Sequence, residues 1–121
     1  MTTQQALTIY SKYVEAWNPI SAEQRKSILE EVFEPRMEYL VPAFDGSTPE
    51  VIQDIERFQK QYPGAHFEVE NVSTHHAVAL FKWVLVLPDG KVTVKGHDAV
   101  RFSPNSKITS ILTFGPGTPR P

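Results

Sequence analysis

An acidic residue stands on the apolar face of the most regular strand pattern in this sequence. Residues 91–102 alternate with a period of two, which is typical of a β-strand with one face toward a core. A buried carboxylate is costly unless it is hydrogen-bonded, protonated or used in function. Asp98 is therefore the first candidate functional residue. The predicted inner face consists of Val92, Val94, Gly96, Asp98, Val100 and Phe102.

The bulk composition is that of one globular domain. The chain has 121 residues, of which 40% are hydrophobic and 21% charged, and this length suits one compact domain. A net charge of −2 with interspersed acids and bases predicts neither a nucleic-acid-binding surface nor membrane binding. The lack of cysteine excludes disulfides and thiolate metal sites. Without a signal-peptide pattern or an apolar run of about 20 residues, we expect a cytoplasmic protein.

The first half of the sequence predicts three helices and one strand. Apolar residues recur at helical spacing over 4–17. A second helix begins at Ser21, which starts a capping-box pattern, and ends before Pro35. A strand over 36–41 and a loop precede the third helix, which opens with a second capping-box pattern at Ser47.

From residue 65 onward the sequence predicts strands. Four segments with strand patterns follow one another, with turn signals between them. They are the alternating residues from 66, the apolar run over 75–87, the segment of Asp98, and residues 108–114. This order predicts an α+β domain in which three N-terminal helices pack on a strongly curved, mainly antiparallel sheet. We expect this domain to cover 1–115 and residues 116–121 to form a loose tail.

The central hairpin has a register that the turn predicts. If Asp89-Gly90 is a two-residue turn, counting back from it pairs the two flanking strands residue by residue. This register places Trp83 opposite Gly96, which leaves room for the indole ring. The predicted pairs are Leu85 with Val94, Trp83 with Gly96, and Phe81 with Asp98. The predicted inner face of the earlier strand is Ala77, Ala79, Phe81, Trp83 and Leu85.

The outer face of the strand predicted within residues 75–87 is too apolar to be exposed to solvent. A contiguous exposed patch of aliphatic side chains usually marks a subunit interface. We therefore expect a homodimer through the outer face of the sheet, and the alternative is that a terminal segment covers this face. The aliphatic residues concerned are Val78, Leu80, Val84 and Val86.

Two stretches resemble the nuclear-transport-factor-2-like superfamily. Residues 13–18 (Tyr-Val-Glu-Ala-Trp-Asn) and 96–102 (Gly-His-Asp-Ala-Val-Arg-Phe) are similar to its SnoaL-like and ketosteroid-isomerase branches, and the element order agrees over nearly the whole chain. The resemblance implies a cone-shaped fold with a deep apolar pocket. It also implies that Tyr13 and Asp98 form an oxyanion hole, as a tyrosine and a protonated aspartic acid do in ketosteroid isomerases.

The sequence departs from ketosteroid isomerases at their general base. Those enzymes carry an aspartate just before a proline on the first strand, whereas Val41 precedes Pro42 in this chain. Because valine cannot carry a proton, steroid isomerisation by that mechanism is not expected. Asp45, in the loop that follows, is the nearest substitute in the sequence.

Other catalytic and cofactor motifs are absent from the sequence. Neither G-x-S-x-G nor a glycine-rich phosphate loop occurs. The histidines lack metal-ligand spacing, and the adjacent His75 and His76 would point to opposite faces of a strand. We therefore predict no metal and no cofactor. Solvated or interface histidines are expected, and the alternative is that His75 or His76 enters the pocket as an acid–base group.

Three functions fit these features. In the first, Asp98 and Tyr13 catalyse isomerisation, cyclisation or dehydration of an apolar carbonyl compound in a pocket. In the second, the same pair only anchors a ligand, and in the third the chain is a dimerisation module whose aromatic residues fill the cone. Burial would raise the pKa of Asp98. The alternative to a functional role is a structural carboxylate that is bonded to a nearby hydroxyl or backbone amide. The predicted pocket lining is Trp17, Val41, Phe58, Phe81, Trp83 and Phe114.

Overall fold

Three helices pack on one open, six-stranded sheet in the computed structural model, which describes residues 1–120. The strand order is β2-β1-β6-β5-β4-β3, in which β1 and β6 run parallel and the other neighbours are antiparallel. The predicted α+β class and helix count are therefore confirmed. The elements are α1 (Thr3–Glu15), α2 (Ala22–Val32), β1 (Phe33–Val41), β2 (Phe44–Gly46), α3 (Thr48–Gln61), β3 (His66–His75), β4 (Val78–Val86), β5 (Val92–Phe102) and β6 (Ile108–Phe114).

The helix ends differ slightly from the predicted ones. Ser21 caps α2 as expected, because its Oγ accepts from the Gln24 N–H at 3.1 Å while Gln24 Oε1 accepts from the Ser21 N–H at 3.0 Å. Helix α1 ends at Glu15, so Trp17 lies in the turn that follows. Helix α2 ends at Val32 and β1 starts at once, since a proline at position 35 disfavours helix before it.

The short strand β2 was not predicted. Residues 44–46 were expected to be loop, but they pair antiparallel with the end of β1, Val41 lying opposite Phe44. A strand of three residues is too short to show a period of two, which is why the sequence pattern did not reveal it. Of the predicted tail, residues 116–120 form neither helix nor strand, and Pro121 lies outside the described residues.

The register predicted for the central hairpin is confirmed, although the predicted turn is wrong. The Leu87 N–H donates to the Lys91 carbonyl at 2.9 Å, so the loop contains three residues. Gly90 ends this loop with a left-handed φ of +86°, as three-residue hairpin loops require. A bulge between Leu85 and Val86 then restores the predicted pairing from Leu85 and Val94 onward.

Most, but not all, of the residues that were predicted to face inward on β4 and β5 are buried. The inner positions Ala79, Phe81 and Leu85 are buried as expected. Ala77, also predicted to face inward, is exposed because it lies in the turn between β3 and β4. Val92, predicted inner on β5, is 44% exposed because it lies beyond the bulge, at the open end of the hairpin.

The outer face of β4 is not a row of four exposed aliphatic side chains. Val84 and Val86 are buried within the single chain, and Val78 is half-buried, which leaves Leu80 exposed. Val84 lies between Glu68 and Lys95 on the neighbouring strands. The long stems of charged residues at such positions can cover apolar surface.

Gly96 provides the space that the Trp83 ring occupies. The two residues face each other across β4 and β5, as predicted. A Cβ atom at position 96 would overlap the indole ring and lie 2.7 Å from the Phe114 carbonyl oxygen. The backbone oxygen cannot move without disturbing the pairing of β5 with β6, so this position excludes any side chain.

We predict that Gly96→Ala destabilises the protein by about 1–3 kcal/mol, the usual cost of overpacking a core. The measurement is the free energy of unfolding in urea. Gly115→Ala is the matched control, because no atom lies within 4 Å of a Cβ built there. Equal stability of the two variants would contradict the steric role of Gly96.

Candidate functional site

A cavity of about 360 Å³ lies between the helices and the inner face of the sheet. Its wall is mostly aromatic, and its volume falls within the range of small-molecule sites. Helices α1 and α3 form one side, and strands from β1 to β6 form the other. The aromatic lining residues are Tyr10, Tyr13, Trp17, Tyr39, Phe44, Phe58, Tyr62, Phe67 and Trp83, and the polar ones are Asp54, Arg57, Gln61, Asp98 and Thr113.

Asp98 is buried in the wall of this cavity and accepts hydrogen bonds from three other elements. Asp98 is 5% exposed as a residue. The Tyr10 hydroxyl donates to Oδ2 at 2.7 Å. The Trp83 indole N–H and the Thr113 hydroxyl donate to Oδ1 at 3.2 Å and 2.8 Å. These bonds join β5 to α1, β4 and β6, and they compensate for much of the cost of burying the carboxyl group.

The partners of Asp98 determine where its proton can reside. An indole N–H can only donate, so Oδ1 must accept from Trp83 in every protonation state. Thr113 donates to the same oxygen. A proton on Asp98 therefore belongs to Oδ2, the oxygen that faces the Tyr10 hydroxyl. A protonated Asp98 would donate to Tyr10 or into the cavity.

Burial raises the pKa of Asp98 above its ordinary value of 3.8, as predicted. Desolvation is the largest cause, and the hydrogen bonds from Tyr10, Thr113 and Trp83 oppose it because they favour the carboxylate. Burial likewise raises the pKa of Tyr10 and of Tyr13, and the charge of Asp98 adds to both. Both phenols therefore stay protonated and can donate hydrogen bonds at neutral pH.

Tyr13 and Asp98 were expected to form an oxyanion hole in the pocket. Both side chains line the cavity, but the tyrosine that donates to Asp98 is Tyr10, one helical turn earlier on α1. The Tyr13 ring packs edge-on against Trp17, with ring centroids 6.4 Å apart. Sequence reasoning missed Tyr10 as a site residue, although its position in the apolar stripe of α1 placed it on the correct side of the helix.

A second carboxylate, Asp54 on α3, was not predicted. The Tyr39 hydroxyl donates a hydrogen bond to Asp54 Oδ2, and Arg57 Nη2 lies 3.6 Å from Oδ1. The Arg57 guanidinium also stacks over the Phe44 ring at 4.7 Å. Asp54 follows Val51 by three residues and precedes Phe58 by four, so helical spacing alone could have placed it on the inner side of α3.

Two of the residues predicted to line the pocket lie elsewhere. Phe81 is fully buried in the solid core, where it stacks on Tyr10 with ring centroids 3.8 Å apart. Phe114 is 57% exposed on the outer face opposite His97, because Thr113 takes the inward position of β6. Asp45 is exposed on β2 and does not line the cavity. Trp17, Val41, Phe58 and Trp83 do line it.

The histidine pair also differs from the prediction. His76 lies in a turn with a left-handed φ of +49°, so the two rings do not point to opposite faces. The Nδ1 atoms of His75 and His76 are 3.0 Å apart, and both residues are exposed and away from the cavity. Across residues 1–120, His, Asp and Glu side chains form no group of three that could hold a metal ion. Over the same residues, no helix has the length and apolarity to span a membrane.

We predict that the stability difference between the wild type and Asp98→Asn decreases as the pH rises from about 4. Because the folded-state pKa is raised, the folded protein binds more protons than the unfolded chain above the ordinary value of 3.8. The stability that protonated Asp98 contributes is fully present below that value. It is lost, at up to about 1.4 kcal/mol per pH unit, until the folded-state pKa is reached.

Urea unfolding of both proteins at intervals between pH 4 and pH 8 measures this difference. The asparagine variant has no titrating group at position 98, so the remaining carboxyl groups cancel in the comparison. A difference that grows with pH would mean that the three hydrogen bonds outweigh desolvation.

Comparison with solved structures identifies the fold. A SnoaL-like family protein from Agrobacterium tumefaciens, with a provisional isomerase assignment, is 26% identical, covers 95% of this chain and 100% of its own, and superposes with a TM-score of 0.84. An NTF2-like protein of unknown function from Exiguobacterium sp. 255-15 is 12% identical over 91% of this chain and 99% of its own, with a TM-score of 0.71.

A SnoaL-like protein from Jannaschia sp. CCS1, provisionally assigned as a polyketide cyclase, is 14% identical over 93% of this chain and 85% of its own, with a TM-score of 0.72. No family model matches the sequence, and comparison with curated proteins gives no match. The chain therefore has the fold of the nuclear-transport-factor-2-like superfamily, and the predicted resemblance to its SnoaL-like members is confirmed.

Proposed function

We propose that the chain binds a small apolar carbonyl compound in the cavity and, through Asp98 and Tyr13, catalyses its isomerisation, cyclisation or dehydration. The observation that carries the proposal is a carboxyl group with three hydrogen-bond donors, buried in the wall of a largely aromatic cavity of about 360 Å³. Buried carboxyl groups with raised pKa values are typical of catalytic acids and bases. In this proposal, residues 1–115 are the ligand-binding domain.

The lining favours a planar or cyclic ligand with few polar groups. Aromatic side chains such as Trp17, Phe58 and Trp83 offer ring faces and edges for stacking. Tyr13 stays protonated because burial raises its pKa, so it can donate to a carbonyl oxygen. Two similar proteins carry provisional assignments as an isomerase and as a polyketide cyclase, which are among the reactions proposed here.

The first alternative is a ligand-binding module without catalysis. The same cavity would serve it, with Asp98 and Tyr13 holding a ligand rather than transforming it. A substitution that removes the ionisable group while keeping its shape separates the two functions, because catalysis depends on proton transfer or charge and binding depends mainly on fit.

We predict that Asp98→Asn lowers turnover by about 100-fold or more while changing ligand affinity much less. The probe is 2-tetralone, a two-ring ketone with exchangeable protons beside its carbonyl group. Isothermal titration measures its binding, and NMR in D₂O measures protein-catalysed hydrogen–deuterium exchange. Loss of affinity alone, with no exchange catalysed by the wild type, would favour the binding module. Mass spectrometry of the purified protein identifies any ligand that it retains.

A second proposal, carried by the outer face of the sheet, is that the chain forms a homodimer. Leu40, Leu112, Ala99 and Leu80 lie opposite one another on four adjacent strands and form a row that we call the apolar row. Leu40 is 40% and Leu80 45% exposed. Exposed apolar side chains in a contiguous band favour association.

Charges beside the apolar row suit a two-fold arrangement. The next row contains Glu38 and Arg101, which lie on either side of Ser110. In a two-fold dimer, the same patch of each copy meets the other, so the acid of one copy can meet the base of its partner. This dimer and the cytoplasmic location expected from the sequence both remain predictions.

We predict that Leu80→Lys shifts the protein from dimer to monomer, because the symmetry would bring two added positive charges into the apolar row. Sedimentation velocity measures the change. Val92→Lys is the matched control, since Val92 is similarly exposed at 44% but lies outside the row. A wild type that sediments as a monomer at all concentrations would contradict the dimer.

A further inference from the structure

The cavity contains two carboxylates in contrasting surroundings. Asp98 is 5% exposed and accepts three hydrogen bonds from Tyr10, Trp83 and Thr113. The side chain of Asp54 is 27% exposed and accepts one, from Tyr39. Pairs of titratable groups whose environments differ in this way often divide the acid and base roles of a site. The two groups are therefore suited to different tasks.

The hydrogen bonds determine which carboxylate can still accept a proton. A carboxylate offers about four lone-pair positions. At Asp98, Oδ1 already accepts two hydrogen bonds and Oδ2 accepts one. At Asp54, Oδ2 accepts from Tyr39, whereas Arg57 lies 3.6 Å from Oδ1, beyond ordinary hydrogen-bond distance. Asp54 thus retains more free acceptor capacity than Asp98 at the cavity wall.

Tyr39 orients Asp54 at the cavity wall. Tyr39 is 2% exposed, and burial raises its pKa, so its hydroxyl stays protonated and donates to Asp54 Oδ2. The Arg57 guanidinium lies near the other oxygen, 3.6 Å from Oδ1. The carboxylate is thus held through one oxygen, which leaves the other able to meet a ligand.

Tyr13 lies within electrostatic range of both carboxylates. The charge of Asp98, and less strongly that of Asp54, raises its pKa in addition to burial. Tyr13, Asp54 and Asp98 all line the cavity, so a ketone whose oxygen accepts from the Tyr13 hydroxyl shares the cavity with both carboxylates. Val41, at the position where the related isomerases carry their base, contributes only an apolar contact to this wall.

We propose that Asp54, held by Tyr39 at the wall of the cavity, is the base that removes and returns the proton of an enolisable ketone. The proposal rests on the proposed function, since it requires a carbonyl compound in the same cavity. The C–H bond beside the carbonyl breaks, and its proton moves to a free Asp54 oxygen. The electron pair forms the C=C bond of an enolate, whose oxygen accepts from Tyr13. Asp54 then returns the proton to carbon, which restores the carboxylate.

The substrate class follows from this step. It is an apolar ketone with an acidic C–H beside the carbonyl, small enough for about 360 Å³ and planar enough for an aromatic wall. Proton return to the original carbon gives hydrogen exchange, and return to a conjugated carbon gives isomerisation. Neither outcome needs an oxidant, a metal or a second substrate.

The test compares Asp54→Asn with the wild type, with 2-tetralone as the probe. We expect Asp54→Asn to lower the deuterium-exchange rate by about 100- to 10,000-fold, the usual contribution of a general base, with little change in affinity. Asp45→Asn is the matched control, because Asp45 is an exposed aspartate on β2 outside the cavity. It should exchange at the wild-type rate.

Tyr39→Phe tests the positioning of the base. The groups that hold Asp54 are Tyr39 on β1 and Arg57 on its own helix. Removal of the Tyr39 hydroxyl takes away the donor that orients the carboxylate, so the exchange rate should fall while the affinity for 2-tetralone and the free energy of unfolding stay the same. A merely structural role of Tyr39 would lower the affinity and the free energy of unfolding together with the rate.

The outcomes separate this proposal from the proposed function. Failure of 2-tetralone to bind the wild type would contradict both, because both require an apolar carbonyl ligand. Binding with no catalysed exchange would overturn the enzymatic assignment and the role of Asp54 together. Exchange that persists in Asp54→Asn but is lost in Asp98→Asn would overturn the role of Asp54 alone. Loss in Asp54→Asn, with binding retained and Asp45→Asn active, supports it.

Discussion

The burial of the Asp98 carboxyl group is the constraint on which the rest of this structure depends. A carboxyl group at this depth needs hydrogen-bond donors, and they come from three separate elements: Tyr10 on α1, Trp83 on β4 and Thr113 on β6. Each donor requires its element at a defined position relative to β5. The indole reaches Asp98 from the strand position opposite Gly96, where any side chain would block it. One polar group thus couples the orientation of α1 to the register of the sheet.

The polar cluster around Asp54 is partly exposed and has few hydrogen bonds, in contrast to the surroundings of Asp98. Asp54, Tyr39 and Arg57 interact near the edge of the cavity, where the carboxylate remains partly exposed. Solvent screening keeps the pairing with Arg57 weak, so Asp54 is held mainly by one phenol and retains free lone pairs. Low exposure and three donors hold the Asp98 carboxyl group in a fixed position. Partial exposure and one donor leave Asp54 more accessible from the cavity, which is what the role of base proposed for it requires.

Much of this arrangement could be predicted from the sequence, because strand alternation and pairing are local rules. Alternation over 91–102 placed Asp98 inside, and the hairpin register placed Trp83 beside Gly96. The partners of the two carboxylates could not be predicted, because they depend on how helices pack on the sheet. Helical spacing gives the buried side of α1 but not which phenol reaches β5, and Tyr39 meets Asp54 only because α3 packs against β1. Phe114 was misplaced because the facing of β6 follows from its register with β5.

The cavity persists in an otherwise close-packed interior because its wall supports itself. Trp17 packs edge-on against both Phe58 and Phe67, and Phe67 packs edge-on against Trp83, with centroid distances of 5.3–5.6 Å. Rigid rings in edge-to-face contact hold one another in place and cannot collapse inward as flexible side chains would. Within the same wall, Phe58 and Phe67 also stack face to face, with ring centroids 4.7 Å apart. Each of these rings is therefore held by more than one aromatic neighbour, so the wall stays in place around the space that the proposed ligand would fill.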